Sequence, residues 1–185
     1  MSTKKPMLLL FAGPNGSGKS TITSHFDTVG EYTNADDVVA STGISIVDAA
    51  KLVDERRYAA IAAKKDLTFE TVLSSEYKMD ILRKAKDEGY FIKCFFVLTV
   101  DPSINIARIE ARVAQGGHDV PSDKVISRYK KSLANIKELM SICDILHVYD
   151  NSTNHAVRII RKHKDDITLF PNKLWSLENI SGLIQ

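Results

Sequence analysis

The stretch that most constrains this chain is residues 13–20, Gly-Pro-Asn-Gly-Ser-Gly-Lys-Ser, which matches the pattern G-x-x-x-x-G-K-[ST]. An apolar run, Met7–Ala12, precedes it and predicts a buried parallel strand. Residues 20–26 follow it and suit a first helix. Between a strand and a helix, glycines let the backbone approach an oxyanion and point several N–H groups at it. The pattern therefore predicts a loop that binds the phosphates of a nucleoside triphosphate.

Side-chain roles follow from the way such loops hold a triphosphate. Lys19 is expected to contact the β- and γ-phosphates, and the Ser20 hydroxyl is expected to bind Mg²⁺. The nucleotide, taken to be ATP, would contact Gly13, Pro14, Asn15, Gly16, Ser17, Gly18, Lys19, Ser20 and Thr21. The alternative is a glycine turn without a ligand, which the agreement of the pattern with its flanking strand and helix disfavours. The loop does not indicate what is done with the nucleotide.

Length and composition predict a single domain over residues 1–185. The chain is 44% hydrophobic and 26% charged, which is usual for a globular protein with a sizeable core. Its net charge of +2 gives no strong field for nucleic acids, so a nucleic-acid partner is not expected. Cys94 and Cys143 lie in predicted strands and are expected to be reduced core thiols.

The sequence also predicts the cellular compartment of the protein. No apolar run approaches the roughly 18 residues that span a bilayer. Lys4 and Lys5 precede an apolar run, as in a signal peptide, but that run ends at Gly13 in the phosphate-binding loop. We therefore expect a cytoplasmic protein with no membrane partner and with ATP and Mg²⁺ available to it.

Predicted strands alternate with predicted helices along the chain. Strands are expected at residues 7–12, 30–35, 67–69, 90–100 and 143–149. A helix is expected over residues 151–164, then a short strand from residue 167 and a turn of helix that packs Leu174, Trp175 and Leu177 onto the body. This alternation favours an α/β fold, a three-layer sandwich with a five-stranded, mainly parallel sheet and helices on both faces. Two helices joined at Gly116-Gly117 predict a helical lid.

Acidic side chains are expected at the carboxyl edge of this sheet, where open parallel sheets bind ligands. Asp36 follows the second strand and suits a general base for an acceptor hydroxyl; alternatively, it caps the turn that follows. Glu70 ends the third strand, where it would support Mg²⁺ or its water, orient a sugar hydroxyl, or be a solvated acid. Asp101, before Pro102, is expected to start a helix rather than to take part in chemistry.

Three arginines flank the predicted lid: Arg108, Arg112 and Arg128. Phosphoryl transfer needs positive charge near the transferring group and the exclusion of water. Each arginine alone is as consistent with a surface charge as with a catalytic one. Three of them beside a glycine turn favour a role at phosphates.

Several short segments together resemble the zeta toxin family. After the phosphate-binding loop come, in order, Asn34-Ala35-Asp36, Phe69-Glu70-Thr71 and Gly117-His118-Asp119-Val120-Pro121. The resemblance runs from about residue 6 to about residue 152. It implies a P-loop kinase-like fold and transfer of the γ-phosphate of ATP to a hydroxyl. Well-known members phosphorylate the 3′-hydroxyl of the amino sugar of UDP-N-acetylglucosamine, and small antitoxin proteins hold them inactive.

The resemblance also implies residue roles. Lys19 would be the phosphate-binding lysine and Asp36 the base. Glu70 and Thr71 would contact the acceptor. His118 is placed with the acceptor-binding residues as well.

One departure from the family lies at His118. Well-known members carry an arginine there, ahead of the lid's Thr-Pro, and a neutral imidazole cannot replace a fixed guanidinium charge. Either Arg112 and Arg128 supply the catalytic charge in this chain, or the acceptor differs.

Three functions are compatible with the sequence. The first is a small-molecule kinase, with UDP-N-acetylglucosamine as the leading acceptor by resemblance. The second is a kinase of a nucleoside, a nucleotide cofactor or an RNA end. The third is a nucleotide-dependent switch paired with an antitoxin, which would not need Asp36, Glu70 and a lid together.

Overall fold

The fold is given by a computed structural model that describes residues 4–117 and 119–185. Within those residues one seven-stranded sheet has the order β2-β3-β1-β4-β5-β6-β7. The strands are β1 (Met7–Ala12), β2 (Glu31–Thr33), β3 (Leu67–Thr71), β4 (Phe91–Leu98), β5 (Ile145–Asp150), β6 (Val157–His163) and β7 (Asp166–Leu169). The first five are parallel to one another, and β6 and β7 are antiparallel additions at one edge.

Helices connect the parallel strands. They are α1 (Lys19–Thr23), α2 (Ala35–Thr42), α3 (Ile46–Ala62), α4 (Glu76–Asp87), α5 (Pro102–Val113), α6 (Ser122–Ala134), α7 (Ile136–Ile142) and α8 (Leu177–Gly182). Asp101 starts α5 as the sequence predicts, because its side chain accepts from the Ser103 N–H. The Ser45 side chain likewise accepts from the Asp48 N–H at the start of α3. No helix in the described part of the chain is long and apolar enough to cross a membrane.

The central strands are buried on both faces, as the continuous apolar run of β1 predicts. Leu8 and Leu10 point into the main core, while Leu9 and Phe11 pack with Phe95 on the opposite face. Cys94 and Cys143 are buried free thiols, which confirms their predicted state.

The prediction of a helix over residues 151–164 is wrong, and so is the count of five strands. Residues 157–163 form β6, which pairs antiparallel with β5. The register shifts between Val148 and Tyr149, and this irregularity lets the consecutive Ile159 and Ile160 both be fully buried. Two adjacent isoleucines suit a helix face or a bulged strand equally well, so the sequence did not distinguish them.

The C-terminal segment follows the prediction in part. The short strand from residue 167 lies within β7, and Trp175 is buried at 6% exposure. Leu174 and Leu177, however, are exposed at 42% and 56% rather than packed onto the body. In α8 the residue that reaches the core is Ile180.

The predicted lid corresponds to α5, the connection over residues 114–121, and α6. Its second helix is fixed to the sheet, because the Tyr129 hydroxyl donates to the Thr99 carbonyl at 2.6 Å. The prediction for His118 lies outside the described residues.

Candidate functional site

The phosphate-binding loop has a backbone that only glycine suits at two key positions. Gly13 has φ of 140°, and a Cβ there would lie 1.9 Å from the Val97 carbonyl oxygen. Gly18, with φ of 89°, caps α1, and its Cβ would lie 2.2 Å from Asn151 Nδ2. The loop is therefore pressed against the ends of β4 and β5, and its glycines serve this close approach.

Two asparagines hold the loop from outside. Asn151 Nδ2 donates to the Ser17 carbonyl at 2.8 Å, and the buried Asn105 donates to the Asn15 carbonyl at 2.7 Å. Fixing these carbonyls fixes the peptide planes whose N–H groups would face an anion. Among the described residues, the Ser17 hydroxyl is a buried oxygen without a hydrogen-bond partner.

A cavity of about 970 Å³ opens from this loop. Its walls come from the loop and α1, from the carboxyl ends of β2 and β3, from α3 and α4, and from the lid helices α5 and α6. A volume at the upper end of the range for small-molecule sites, about 300–1,000 Å³, is large enough for a nucleotide and part of a second substrate.

Lys19 lies at the base of the cavity with its side chain almost fully buried. Its ammonium donates to the Pro14 carbonyl at 3.0 Å. Burial lowers the pKa of Lys19, while the nearby carboxylates of Glu70 and Asp36 raise it again and Arg112 lowers it. These charges show that two carboxylates and a lid arginine lie close enough to Lys19 to act on it.

Glu70 joins the loop to β3. The Ser20 hydroxyl donates to Glu70 Oε1 at 3.2 Å, and the Tyr32 hydroxyl lies 3.5 Å from Oε2. Burial raises the pKa of Glu70, while Lys19 and the Ser20 hydroxyl lower it. The same surroundings, burial foremost, raise the pKa of Tyr32 to about 12. Glu70 is thus not a solvated surface acid.

The Ser20 hydroxyl and the Glu70 carboxylate form an oxygen-only pair that fits Mg²⁺. The described residues contain no cluster of three or more His, Cys, Asp or Glu side chains able to hold a metal ion by themselves. A pair of this kind suits an ion that takes its remaining ligands from phosphates and water.

Asp36 lies in the first turn of α2 and does not cap that helix. Asn34 is the N-cap, and its side chain accepts from the Asp36 N–H at 3.1 Å. The alternative in which Asp36 only caps the following turn is therefore wrong. Its exposed side chain lines the cavity, in a helix turn where negative charge is favoured.

The lid contributes cations to the same cavity. Arg128 Nη1 donates to Asn15 Oδ1 in the loop at 3.4 Å. Arg108 lines the cavity with Nη1 buried and without a hydrogen-bond partner in the described part of the chain. Arg112 lines it as well. All three arginines that the sequence singles out therefore reach this cavity.

The other predicted site residues divide into two groups. Thr71 lines the cavity, and its hydroxyl accepts from the Leu73 N–H at 3.1 Å. Asn15, Gly16, Gly18 and Thr21 also line it. Gly13, Pro14 and Ser17 belong to the loop but lie behind the cavity wall.

Sequence reasoning missed a charged cluster in the cavity wall. Arg57 and Asp54, each 2% exposed, are paired at 2.9 Å, and Lys78 from α4 binds the same carboxylate at 2.5 Å. Arg57 also donates to the Thr33 side chain and carbonyl at the end of β2. One signal was available: Arg57 shares a helical face with Val53 and Ala60, so the helix pattern places a guanidinium in the core.

Comparison of the amino-acid sequence with known proteins identifies relatives of this chain. The profile of the zeta toxin family matches residues 31–165. An uncharacterized protein of Haemophilus influenzae is 29% identical over 127 residues, which cover 65% of this chain and 91% of that protein. The family match begins after the phosphate-binding loop, so the loop and the match are separate observations.

Solved structures share the fold. A chain of the AvrRxo1-ORF1:-ORF2 complex with ATP has a TM-score of 0.72 at 15% identity, covering 97% of this chain and 64% of that one. A chain of the PezAT toxin-antitoxin system of Streptococcus pneumoniae has a TM-score of 0.58 at 18% identity, covering 85% and 72%. A putative kinase from Chloroflexus aurantiacus has a TM-score of 0.50 at 13% identity, covering 69% and 80%.

At these identities the structural likeness shows the fold alone, which is α/β and P-loop kinase-like, as predicted. The chain spans about two thirds of the length of the AvrRxo1 complex chain that it matches. The family follows from the sequence match, which takes in more than half of the residues. The chain belongs to the zeta toxin family.

Proposed function

We propose that this protein is an ATP-dependent kinase that transfers the γ-phosphate to a hydroxyl of a small molecule. The observation that carries the proposal is the bond between the Ser20 hydroxyl and Glu70, because it joins the phosphate-binding loop to the carboxylates in one cavity. A nucleotide switch would need the loop without a second wall of acidic and basic side chains beside it.

The donor side consists of the loop and the start of α1. Lys19, whose buried ammonium lies at the base of the cavity, would exchange the Pro14 carbonyl for the β- and γ-phosphates. Ser20, with Glu70 beside it, would hold Mg²⁺, which neutralises phosphate charge when bound.

The acceptor side begins at Asp36. Its carboxylate would accept the proton of the acceptor hydroxyl as the phosphoryl group is transferred. Arg112 and Arg128 would stabilise the charge on that group from the lid, and Arg128 already contacts the loop through Asn15. Thr71 and Glu70 would position the acceptor.

The acceptor and the biological setting follow from the family. UDP-N-acetylglucosamine is the leading acceptor, and a nucleoside, a nucleotide cofactor or an RNA end is the alternative. An antitoxin is a proposed partner, in keeping with the toxin-antitoxin system to which the PezAT structure belongs. We further propose a single domain that acts in the cytoplasm.

The test replaces Asp36 with asparagine and measures ADP formation with ATP, Mg²⁺ and a panel of UDP-sugars, nucleosides and dinucleotides. The variant should bind ATP as the wild type does and lose transfer by about 10²–10⁴-fold, the usual share of a general base. Asp37→Asn is the matched control, because Asp37 follows in the same helix turn but does not line the cavity. Normal turnover by Asp36→Asn would refute the role of the base, and no ADP formation with any acceptor would favour a switch.

A further inference from the structure

The part of the cavity wall formed by α3 and α4 carries more positive charge than its buried carboxylate, Asp54, balances. Lys78 Nζ lies 2.6 Å and 2.5 Å from the two oxygens of Asp54, and Arg57 Nη1 lies 2.9 Å from one of them. Arg57 and Lys78 line the cavity, while Asp54 lies behind them. Two cations thus share one buried anion.

The donors of Arg57 are largely used within the protein. Its Nε donates to Thr33 Oγ1 at 2.9 Å, its Nη2 donates to the Thr33 carbonyl at 3.0 Å, and its Cζ lies 4.2 Å from the centre of the Phe69 ring. Arg57 is therefore sufficient to neutralise Asp54 and is held rigidly while it does so.

Lys78 is the less completely used cation. Its ammonium has three donors, of which two are directed at Asp54, and it lies 5.4 Å from the centre of the Tyr77 ring. Its side chain keeps 20% exposure, which leaves the ammonium reachable from the cavity. Burial lowers the pKa of both Lys78 and Arg57, because the excess charge is poorly solvated where it stands.

A purely structural role for Lys78 does not explain this arrangement. Arg57 already compensates Asp54, so a second partly buried cation adds desolvation cost without any need for charge balance. A negative ligand in the cavity would supply the missing charge. Ser74 and Ser75 line the cavity beside Lys78, and the Ser75 hydroxyl does not cap α4, so it is available to a ligand.

We propose that Lys78, with the hydroxyls of Ser74 and Ser75, binds an anionic group of the acceptor, a phosphate or a carboxylate, while the acceptor hydroxyl reaches Asp36. This inference rests on the proposed kinase function and narrows it. Acceptors that carry a phosphate or carboxylate group are preferred, and neutral sugars and nucleosides are poor substrates. Lys78 determines acceptor specificity and takes no part in the chemical step.

The test measures binding rather than turnover. The protein is saturated with Mg²⁺ and a non-hydrolysable ATP analogue, so that the phosphate-binding loop is filled, and is titrated calorimetrically with inorganic pyrophosphate. The wild type should bind one pyrophosphate, Lys78→Met should bind it about tenfold or more weakly, and Lys78→Arg should retain binding. Lys84→Met is the matched control, because Lys84 lies on the same helix, is 53% exposed and pairs with Glu88.

Two results of the binding measurement overturn the inference: no pyrophosphate binding by the wild type, or equal binding by the wild type and Lys78→Met. Equal kcat/KM for a sugar and for its phosphate would also overturn it, while leaving the kinase proposal intact. Lys78-dependent pyrophosphate binding without transfer to any acceptor would instead count against the kinase proposal. A thermal melt of Lys78→Met in the absence of ligand separates loss of fold from loss of the anion site.

Discussion

Replacing Arg57 with methionine tests whether the buried charge cluster holds the cavity wall together. The substitution keeps an apolar stem of similar length but removes the donors to Asp54 and to both oxygens of Thr33. Removing one partner of a buried ion pair costs about 3–5 kcal/mol, because the other charge stays buried. Lys78 still pairs with Asp54, so we expect a loss at the lower end, about 3 kcal/mol, of a total stability of about 5–15 kcal/mol.

The measurement is urea denaturation without ligands, followed by circular dichroism. Arg56→Met is the control, because Arg56 is the preceding residue, is 49% exposed and reaches Glu31 only at 3.8 Å. An exposed pair of this kind contributes about 0–1 kcal/mol. If Arg57→Met were no less stable than Arg56→Met, the guanidinium would not hold β2, β3 and α3 together, and the reasoning would be wrong.

Two further predictions concern the sheet and the loop. Burial, and then neighbouring positive charges, lower the pKa of His147 to about 4, against about 6.5 when unfolded. Those charges come from Lys93, Arg158, Arg161 and His163. Between pH 6.5 and 4 only the unfolded state takes up this proton, so His147 makes the free energy of unfolding fall as the pH falls. His147→Phe should therefore flatten the pH dependence of the urea midpoint in that window. An unchanged slope would count against a lowered pKa for His147. Gly13→Ala should abolish ATP binding measured by calorimetry, because its Cβ would meet the Val97 carbonyl oxygen at 1.9 Å. Gly43 also has a positive φ, 71°, but no atom lies within 4 Å of the Cβ position, so Gly43→Ala should bind ATP normally and lose only about 1 kcal/mol of stability.

The elements that sequence predicted well are those set by local chemistry. The phosphate-binding loop is fixed by its glycines, and α3 and α5 begin at side chains that satisfy their own first turns. The second strand was predicted as well, whereas α2, which Asn34 caps, was not, because the sequence indicated only a turn after Asp36. Sequence could place Asp36 near the loop because parallel strands end at one edge. It could not show whether Asp36 capped the helix, since Asn34 and Asp36 are both good cap residues.

The elements that sequence missed depend on partners far along the chain. Residues 157–163 form a strand because β5 offers an open edge, and only the three-dimensional sheet shows that edge. Asp54 and Lys78 lie on different helices and are 24 residues apart in the chain, and no local pattern relates them. The arginines of the lid were identified as a group, but their convergence on one cavity with Asn15 is a result of tertiary packing.

The distribution of charge around the cavity gives a reason for two ligands rather than one. Lys19 has the carboxylates of Glu70 and Asp36 near it, so its charge is balanced before a triphosphate arrives. Mg²⁺ at Ser20 and Glu70 would occupy one of these carboxylates and restore the attraction of the loop for phosphate. A triphosphate at the loop would leave Lys78 paired with Asp54, the carboxylate on α3 that it already contacts from α4. Under our proposal, an anionic acceptor would supply further negative charge at Lys78, and a kinase should close and transfer when both of its ligands are present.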